Sequence, residues 1–524
     1  MAVKKKQAAS DGVGLSTGLR RYLYVTAATT GAAIMIVEIL GAKMLSPYLG
    51  TSHFVWTAQI AVTLVALALG YYIGGWMVDR TMNIGRLYAA ILVAGIYLAF
   101  TVAITEWVVY GCLRFDLAVG SLLTSTVLFF VPLCLLAMVG PFLIRVLTAS
   151  LSGVGQSVGR LTAISTMGSF LGTVLIGYLL IPFLPNSTTM YLTAAVLMSV
   201  GSGYFLIWRK RGGERTPALV GASIGLLVGY GAVRAGGVAR SNTTELYRGN
   251  SNFGLLQVLQ EKNGPRRYYL NDYLVQNTYD TNLHQSTSMF TDMLHGLARV
   301  YLPEARDVLC IGLGVGIVPM KFAREGCQVD VFEINPAIIP VAQQFFDLVP
   351  EKLNIISGDG RYLLSRASRR YDAVILDAFL GDSCPSHLMT REAFVAIRKV
   401  LKPEGVLVIN TFAEFAAGHD FFAASLFKTL TNVFPSVRIH GEDRGNTLFV
   451  ASSRNPLALL KPPDLTQVHF SCVAAVKEAF ETLHEPNPAS GRVLTDDYNP
   501  VEFYDAANRE RLRRGLAKSM EPPP

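Results

Sequence analysis

The chain has 524 residues, 51% of them hydrophobic and only 16% charged, with a mean hydropathy of +0.37. Soluble domains carry about a quarter charged residues, so a wholly soluble protein is excluded and a membrane portion is expected. The formal charge of +8 is scattered along the chain or set beside apolar runs, which argues against nucleic acid and reads as membrane topology.

Residues 1–21 are polar and carry Lys4-Lys5-Lys6 and Arg20-Arg21. The apolar run that follows is long and lacks an A-x-A-like cleavage site, so this segment reads as a cytoplasmic tail rather than a signal peptide. Residues 22–238 then read as a transmembrane bundle of about seven helices, at 22–45, 55–78, 87–107, 120–144, 159–184, 187–208 and 217–236. Gly70 and Gly74, Gly168 and Gly172, and Gly221, Gly225 and Gly229 have the small-xxx-small spacing that lets helices approach closely.

Basic residues fall on every second connection: Arg80 and Arg86, Arg145 and Arg160, then Arg209-Lys210-Arg211. This places those loops and the N-terminus in the cytoplasm, in a multi-pass inner (plasma) membrane protein. Seven crossings would carry the following domain outside, whereas its chemistry favours the cytoplasm. Glu38, deep in the first span, is either half of a structural ion pair or a substrate contact, because an ionisable group is expensive there. The Gly74–Arg80 segment with Gly85-Arg86 is loosely similar to a loop of major facilitator transporters. Those carriers have about twice as many helices, so a module serving an enzyme is expected, with a homodimer as one route to the missing half.

Residues 241–285 change to short strands, 255–259 and 268–270, around the hairpin turn Lys262-Asn263-Gly264-Pro265. Residues 286–515 read as a doubly wound α/β (Rossmann) domain, and 516–524 as a tail. Its first strand, 308–311, turns through Gly312, Gly314 and Gly316 into a helix ending near Arg324. A second strand, 329–332, carries Glu333 at its tip; a third, 354–356, leads to Gly358-Asp359-Gly360; a fourth, 373–376, delivers Asp377. Residues 406–410 read as the fifth strand, with 437–440 and 448–451 as the last pair. Glycines after the first strand and an acid about 20 positions on suit a nucleoside, the acid accepting both ribose hydroxyls.

The motifs Phe253-Gly254-Leu255-Leu256-Gln257-Val258, Asp272-Tyr273-Leu274-Val275-Gln276, the Gly312 turn, Glu333, Gly358-Asp359-Gly360, Tyr371–Asp377 and Leu401–Leu407 resemble the spermidine synthases. These aminopropyltransferases share the fold of S-adenosylmethionine-dependent methyltransferases. Leu494-Thr495-Asp496-Asp497-Tyr498-Asn499-Pro500-Val501-Glu502 and the segment Glu38–Gly50 resemble the membrane-fused branch of that family.

The resemblance implies aminopropyl transfer from decarboxylated S-adenosylmethionine to a polyamine or other amine such as putrescine. It gives Glu333 the ribose, Asp359 the adenine amino group, Gln276 the donor side, and Asp377 the deprotonation of the attacking amine. The small β domain would cover the site. Three departures stand out. The aspartate usual in the family's glycine turn is Val315 here, the second aspartate of its catalytic loop is Leu380 with Asp382 two residues on, and its Tyr-His-Glu is Phe290-Thr291-Asp292. Asp382 and Asp292 are therefore the candidate acceptor contacts. Methyl transfer from S-adenosylmethionine itself is the alternative within enzymes, and a transporter or sensor with a non-catalytic nucleoside- or polyamine-binding domain the alternative outside them. The six cysteines show no metal-ligand spacing, so no metal is expected.

Overall fold

The computed structural model describes residues 15–49, 53–112, 114–148, 154–208, 242–272, 274–379, 385–441, 444–505, 508 and 511. They fall into two compact units, a helical one and an α/β one.

Among the described residues of the helical unit, six helices are long and apolar enough to cross a membrane. They are α1 (Thr17–Leu49), α2 (His53–Arg80), α3 (Ile84–Cys112), α4 (Leu117–Leu147), α5 (Val154–Phe183) and α6 (Asn186–Ile207). The expected seventh span, 217–236, lies outside the described residues. Two of the three glycine pairs sit where helices touch. Cβ atoms built on Gly74 and Gly172 would each stand 2.6 Å from a carbonyl oxygen, that of Met138 in α4 and of Ala32 in α1. Gly70 and Gly168 meet the carbonyls of Cys134 and Ala28 even more closely.

Proline explains the irregularities. α4 and α5 each contain a π-helical turn, Thr126–Phe130 and Ile176–Leu180, just before Pro132 and Pro182. Pro132 has no N–H for the Leu128 carbonyl, and Thr101 Oγ1 of α3 donates to that oxygen instead at 3.2 Å. Tyr97 Oη likewise donates to the Val127 carbonyl at 2.5 Å. Polar side chains of α3 thus donate to carbonyls at the irregular turn of α4.

The α/β unit begins with an antiparallel meander: β1 (Thr243–Ser251), β2 (Gly254–Glu261), β3 (Arg266–Asn271), β4 (Leu274–Asp280) and β5 (Gln285–Ser286). The expected hairpin turn joins β2 to β3, within a sheet of five strands. Helix α7 (Met289–Tyr301) leads into β6 (Asp307–Ile311), α8 (Ile317–Arg324), β7 (Gln328–Glu333), α9 (Ile338–Phe345), β8 (Asn354–Ser357), α10 (Gly360–Arg366) and β9 (Tyr371–Leu376). There follow α11 (Arg391–Val400), β10 (Leu401–Glu414), α12 (Phe421–Thr431), β11 (Ser436–Gly441), β12 (Arg444–Ser452), α13 (Val473–Glu481) and α14 (Val501–Tyr504).

The seven-stranded sheet has the order β11-β12-β10-β9-β6-β7-β8, with β12 antiparallel to both its neighbours. Its central strands carry apolar runs that point to both faces because helices cover both. Val308, Cys310, Ala373, Ile375, Val406 and Val408 enter one core layer; Leu309, Ile311, Val374, Leu376, Leu407 and Ile409 enter the other.

Gly168 supports one prediction. Gly168→Leu should overpack the α1–α5 contact at a cost of about 1–3 kcal/mol and lower the melting temperature of the purified protein. Gly177→Leu, in the same helix with nothing within 4 Å of its added Cβ, should leave the melting temperature unchanged.

Candidate active site

The carboxyl ends of β6, β7 and β9 lie side by side, and each ends in a turn that the backbone fixes. Gly312 has φ +99°, and the space a Cβ would fill there is occupied by the Asp377 carbonyl oxygen. Asp377 N–H donates to the Ile311 carbonyl at 3.0 Å, and Gly312 N–H to the Phe332 carbonyl at 2.8 Å. Gly314 and Gly316 also have positive φ, and Gly316 caps α8.

A cleft opens over this turn, lined by Asn277, Thr291, Gly312, Gly314, Val315, Ile317 and Asp377 among others. The Asp377 carboxyl reaches the cleft but is otherwise enclosed, and burial pushes its pKa up to about 6, opposed by one hydrogen bond. That bond comes from Asn410 Nδ2 of β10 to Asp377 Oδ1, at 2.9 Å. Asn446 Nδ2 of β12 in turn donates to Asn410 Oδ1 at 3.0 Å. The second bond orients the Asn410 amide, so that its donor faces the carboxylate.

Glu333, 8% exposed, accepts from Leu313 N–H at 2.8 Å and Asn335 N–H at 2.7 Å. Burial raises its pKa, with these backbone donors opposing. Each of its oxygens keeps a second lone pair for a ligand hydroxyl. Asp359 caps α10 by accepting from Tyr362 N–H at 2.9 Å, and its other oxygen meets His387 Nε2 at 3.0 Å. Burial pushes its carboxyl up, but the Tyr362 and His387 bonds outweigh that and leave it below the usual range. Gly360 is required by packing: a Cβ there would stand 2.6 Å from Ile311 Cγ2.

The C-terminal Thr495–Asn499 segment braces this corner. Asp496 accepts from Thr390 Oγ1 at 2.6 Å and from Arg361 Nη2 at 2.9 Å, and Asn499 Nδ2 donates to the Ser386 carbonyl at 3.0 Å. The stretch that carries His387 is thereby tied to the start of α10.

Asp377, Gly312 and Gly314 thus share the cleft, Glu333 joins it through the Leu313 amide, and Asp359 with Gly360 stands at the neighbouring strand end. Two of the expected residues have telling surroundings. Gln276 is the extra residue of a β-bulge, since Tyr269 pairs Asn277 and Leu270 pairs Val275, and its neighbour Asn277 lines the cleft. Asp292 is 4% exposed and pairs with Lys321 of α8, while its helical neighbour Thr291 lines the cleft. Burial pushes the Asp292 carboxyl up, with Lys321 opposing. Asp382, like Leu380, lies outside the described residues. Glu38 belongs to the helical unit.

Residues 287–440 match the spermine/spermidine synthase domain family. A polyamine aminopropyltransferase of Vibrio vulnificus is 29% identical over 220 residues, 39% of this chain and 71% of that protein. One from Oceanobacillus iheyensis is 22% identical over 515 residues, 92% of this chain and 91% of its own, so the likeness runs through the helical unit as well. An N-terminal histidine N-methyltransferase of Emericella nidulans is 30% identical over 154 residues, 28% of this chain and 26% of that protein. The matched domain and the relative that spans both units make the α/β unit similar to the spermidine synthases, and the likeness to polyamine aminopropyltransferases extends through the N-terminal helical unit.

Proposed function

We propose that the protein transfers an aminopropyl group from decarboxylated S-adenosylmethionine to an amine such as putrescine, with Asp377 as the base. The observation that carries this reading is the Asp377 carboxyl itself, set in the cleft beside the glycine turn with its pKa pushed up to about 6. Such a carboxylate is ionised at neutral pH yet basic enough to relay a proton.

The acceptor ammonium gives its proton to Asp377, and the freed nitrogen lone pair attacks the propyl carbon next to sulfur. The C–S bond breaks, its electrons neutralise the sulfonium, and methylthioadenosine leaves without needing an acid. Glu333 holds the ribose and Asp359 the adenine amino group, while the backbone at Gly312, Gly314, Gly316 and Gly360 lets the donor approach closely. Gln276 serves the donor side from its bulge and Asn277 from the cleft wall. On the acceptor side, Thr291 takes the place first given to Asp292.

Val315 favours a second reading. It is 1% exposed and packed in the core layer beneath the turn, where the family pattern has an aspartate for the donor's amine. No carboxylate at this position repels the carboxylate of intact S-adenosylmethionine, so methyl transfer to an amine is the alternative chemistry. We further propose that the helical unit spans a membrane. The six crossings among the described residues return the chain, by Ile207, to the side of its N-terminus, which the basic loops make the cytoplasm.

Titration of the purified protein with each donor, followed by mass spectrometry after adding putrescine, should show preference for the decarboxylated donor and release of methylthioadenosine. Preference for the intact donor with release of S-adenosylhomocysteine would replace this reading with methyl transfer.

The pH profile tests the base. Wild-type kcat/KM should rise with pH through about 6. Asn410→Ala removes a bond to the ionised form and should move that limb up by about one pH unit; Asn446→Ala should move it the same way by less. Asp377→Asn should cost about 10²–10⁴-fold in kcat.

Stability separates this loss from unfolding. The folded pKa of Asp377 lies above the ordinary 3.8, so the stability its carboxyl contributes in acid is lost as pH rises through about 6. Asp377→Asn should therefore melt above wild type at pH 8, with the gap closing towards pH 4.

A further inference from the structure

The helical unit holds polar groups that the transfer chemistry does not use. Glu38 is half-buried in α1 between Val37 and Ile39, and among the described residues it makes no hydrogen bond or ion pair. Gln59 of α2 is 0% exposed, and neither its Nε2 nor its Oε1 has a partner among the described residues. Its backbone carbonyl is engaged, accepting from Thr63 Oγ1 at 2.8 Å, so the unmet polarity belongs to the side chain alone.

Gly41 brings the two together. A Cβ built on Gly41 would stand 2.7 Å from Gln59 Nε2 and 3.1 Å from Oε1, so the amide lies directly on the α1 backbone. Glu38 is three residues earlier, on the same face one turn away. It is also seven residues beyond Gly31, whose carbonyl accepts from Ser169 Oγ of α5 at 3.1 Å. By helical spacing Glu38 therefore falls between the line of contact with α2 and the line of contact with α5. The Cβ of Glu38, an acid with no cation among the described residues, thus stands within about 5–6 Å of the spot where an amide with no partner among the described residues rests.

We propose that Glu38 and Gln59 form a binding site for a protonated primary amine inside the helical unit. An ammonium donates to the Glu38 carboxylate and to Gln59 Oε1, and Gln59 Nε2 donates to the remaining carboxylate oxygen. That arrangement supplies the charge the acid lacks and partners for both amide atoms, which an apolar filling of the seam would not. The choice of an amine rests on the amine-transferase reading of the cleft. The competing occupant is a proton on Glu38, which would close a neutral carboxyl–amide pair.

The test uses the full-length chain in lipid nanodiscs and a putrescine derivative bearing a diazirine, with cross-linked peptides mapped by mass spectrometry. Wild type should be labelled both on peptides of α1 and α2 and on peptides of the cleft, and excess unlabelled putrescine should suppress both. Glu38→Gln should lose about tenfold or more of the α1–α2 label while keeping the cleft label. Gln59→Leu should weaken the α1–α2 label in the same direction, and Asp377→Asn should leave it in place. Absence of label on α1 and α2 in wild type, label there that putrescine does not suppress, or label undiminished in both Glu38→Gln and Gln59→Leu would overturn the proposal and leave the cleft reading standing. Suppressible α1–α2 label with an unlabelled cleft would support this site and count against the cleft.

Discussion

One backbone contact sets the active-site geometry. β6 and β9 are parallel neighbours, and past their last paired residues Asp377 N–H still reaches the Ile311 carbonyl. The Asp377 carbonyl then lies where any side chain on residue 312 would have to be. The glycine turn and the Asp377 carboxyl are therefore held at a fixed spacing by the same few atoms. A larger residue at 312 would part the strand ends and move both. Positive φ at Gly314 and Gly316 continues the turn into α8, so the turn's shape is set by backbone conformations that side chains rarely adopt.

Around that contact, three carboxylates on one sheet edge are driven to different electrostatic states. Asp359 has burial against it, but a helix N-terminus and His387 outweigh the cost and keep it ionised. Glu333 is more deeply buried, and two backbone amides hold it without fully offsetting the desolvation. Asp377 has a single side-chain donor against its burial, and it is the one poised near neutrality. Environment alone separates an acceptor of hydrogen bonds from an acceptor of protons. The Asn446–Asn410 pair matters here because it opposes desolvation with only one bond, enough to orient the carboxylate and too little to hold it ionised in acid.

What could be read from the sequence follows from this physics. Strands buried on both faces are continuous apolar runs, and turns that require positive φ are glycines, so β6 to β9 and the positions of Glu333, Asp359 and Asp377 were legible from local pattern. Asn410 and Asn446 were not. Each is an ordinary polar residue near one end of its strand's apolar run, and they meet only because β10 and β12 pair across 36 positions of sequence. Gln276 and Asn277 could not be told apart because the bulge that separates them depends on its partner strand. Asp292 was assigned to the cleft by alignment with an acidic residue. On a helix its neighbour Thr291 points about 100° away, and it is Thr291 that faces the cleft while Asp292 turns to Lys321.

The helical unit meets the same constraint with fewer means. Its interior is apolar, so a break in the helical ladder that is buried there needs a side chain from a neighbour. Thr101 answers the carbonyl that Pro132 leaves open, Tyr22 Oη reaches the Val200 carbonyl at 2.6 Å, and Thr26 and Tyr88 share a hydrogen bond at 2.8 Å. Those contacts close locally and ask for nothing further. The Gln59 amide is different in kind, because a rigid group with two donors and an acceptor cannot rotate into satisfaction as a hydroxyl can. Glycine at position 41 admits that amide against the helix, whereas any larger residue would have excluded it. The hydroxyls of Ser125, Thr189, Tyr191 and Ser202 are also buried without a partner among the described residues, but the open amide at Gly41 lies one turn from an acid, an arrangement that an occupant with its own charge and donors would complete.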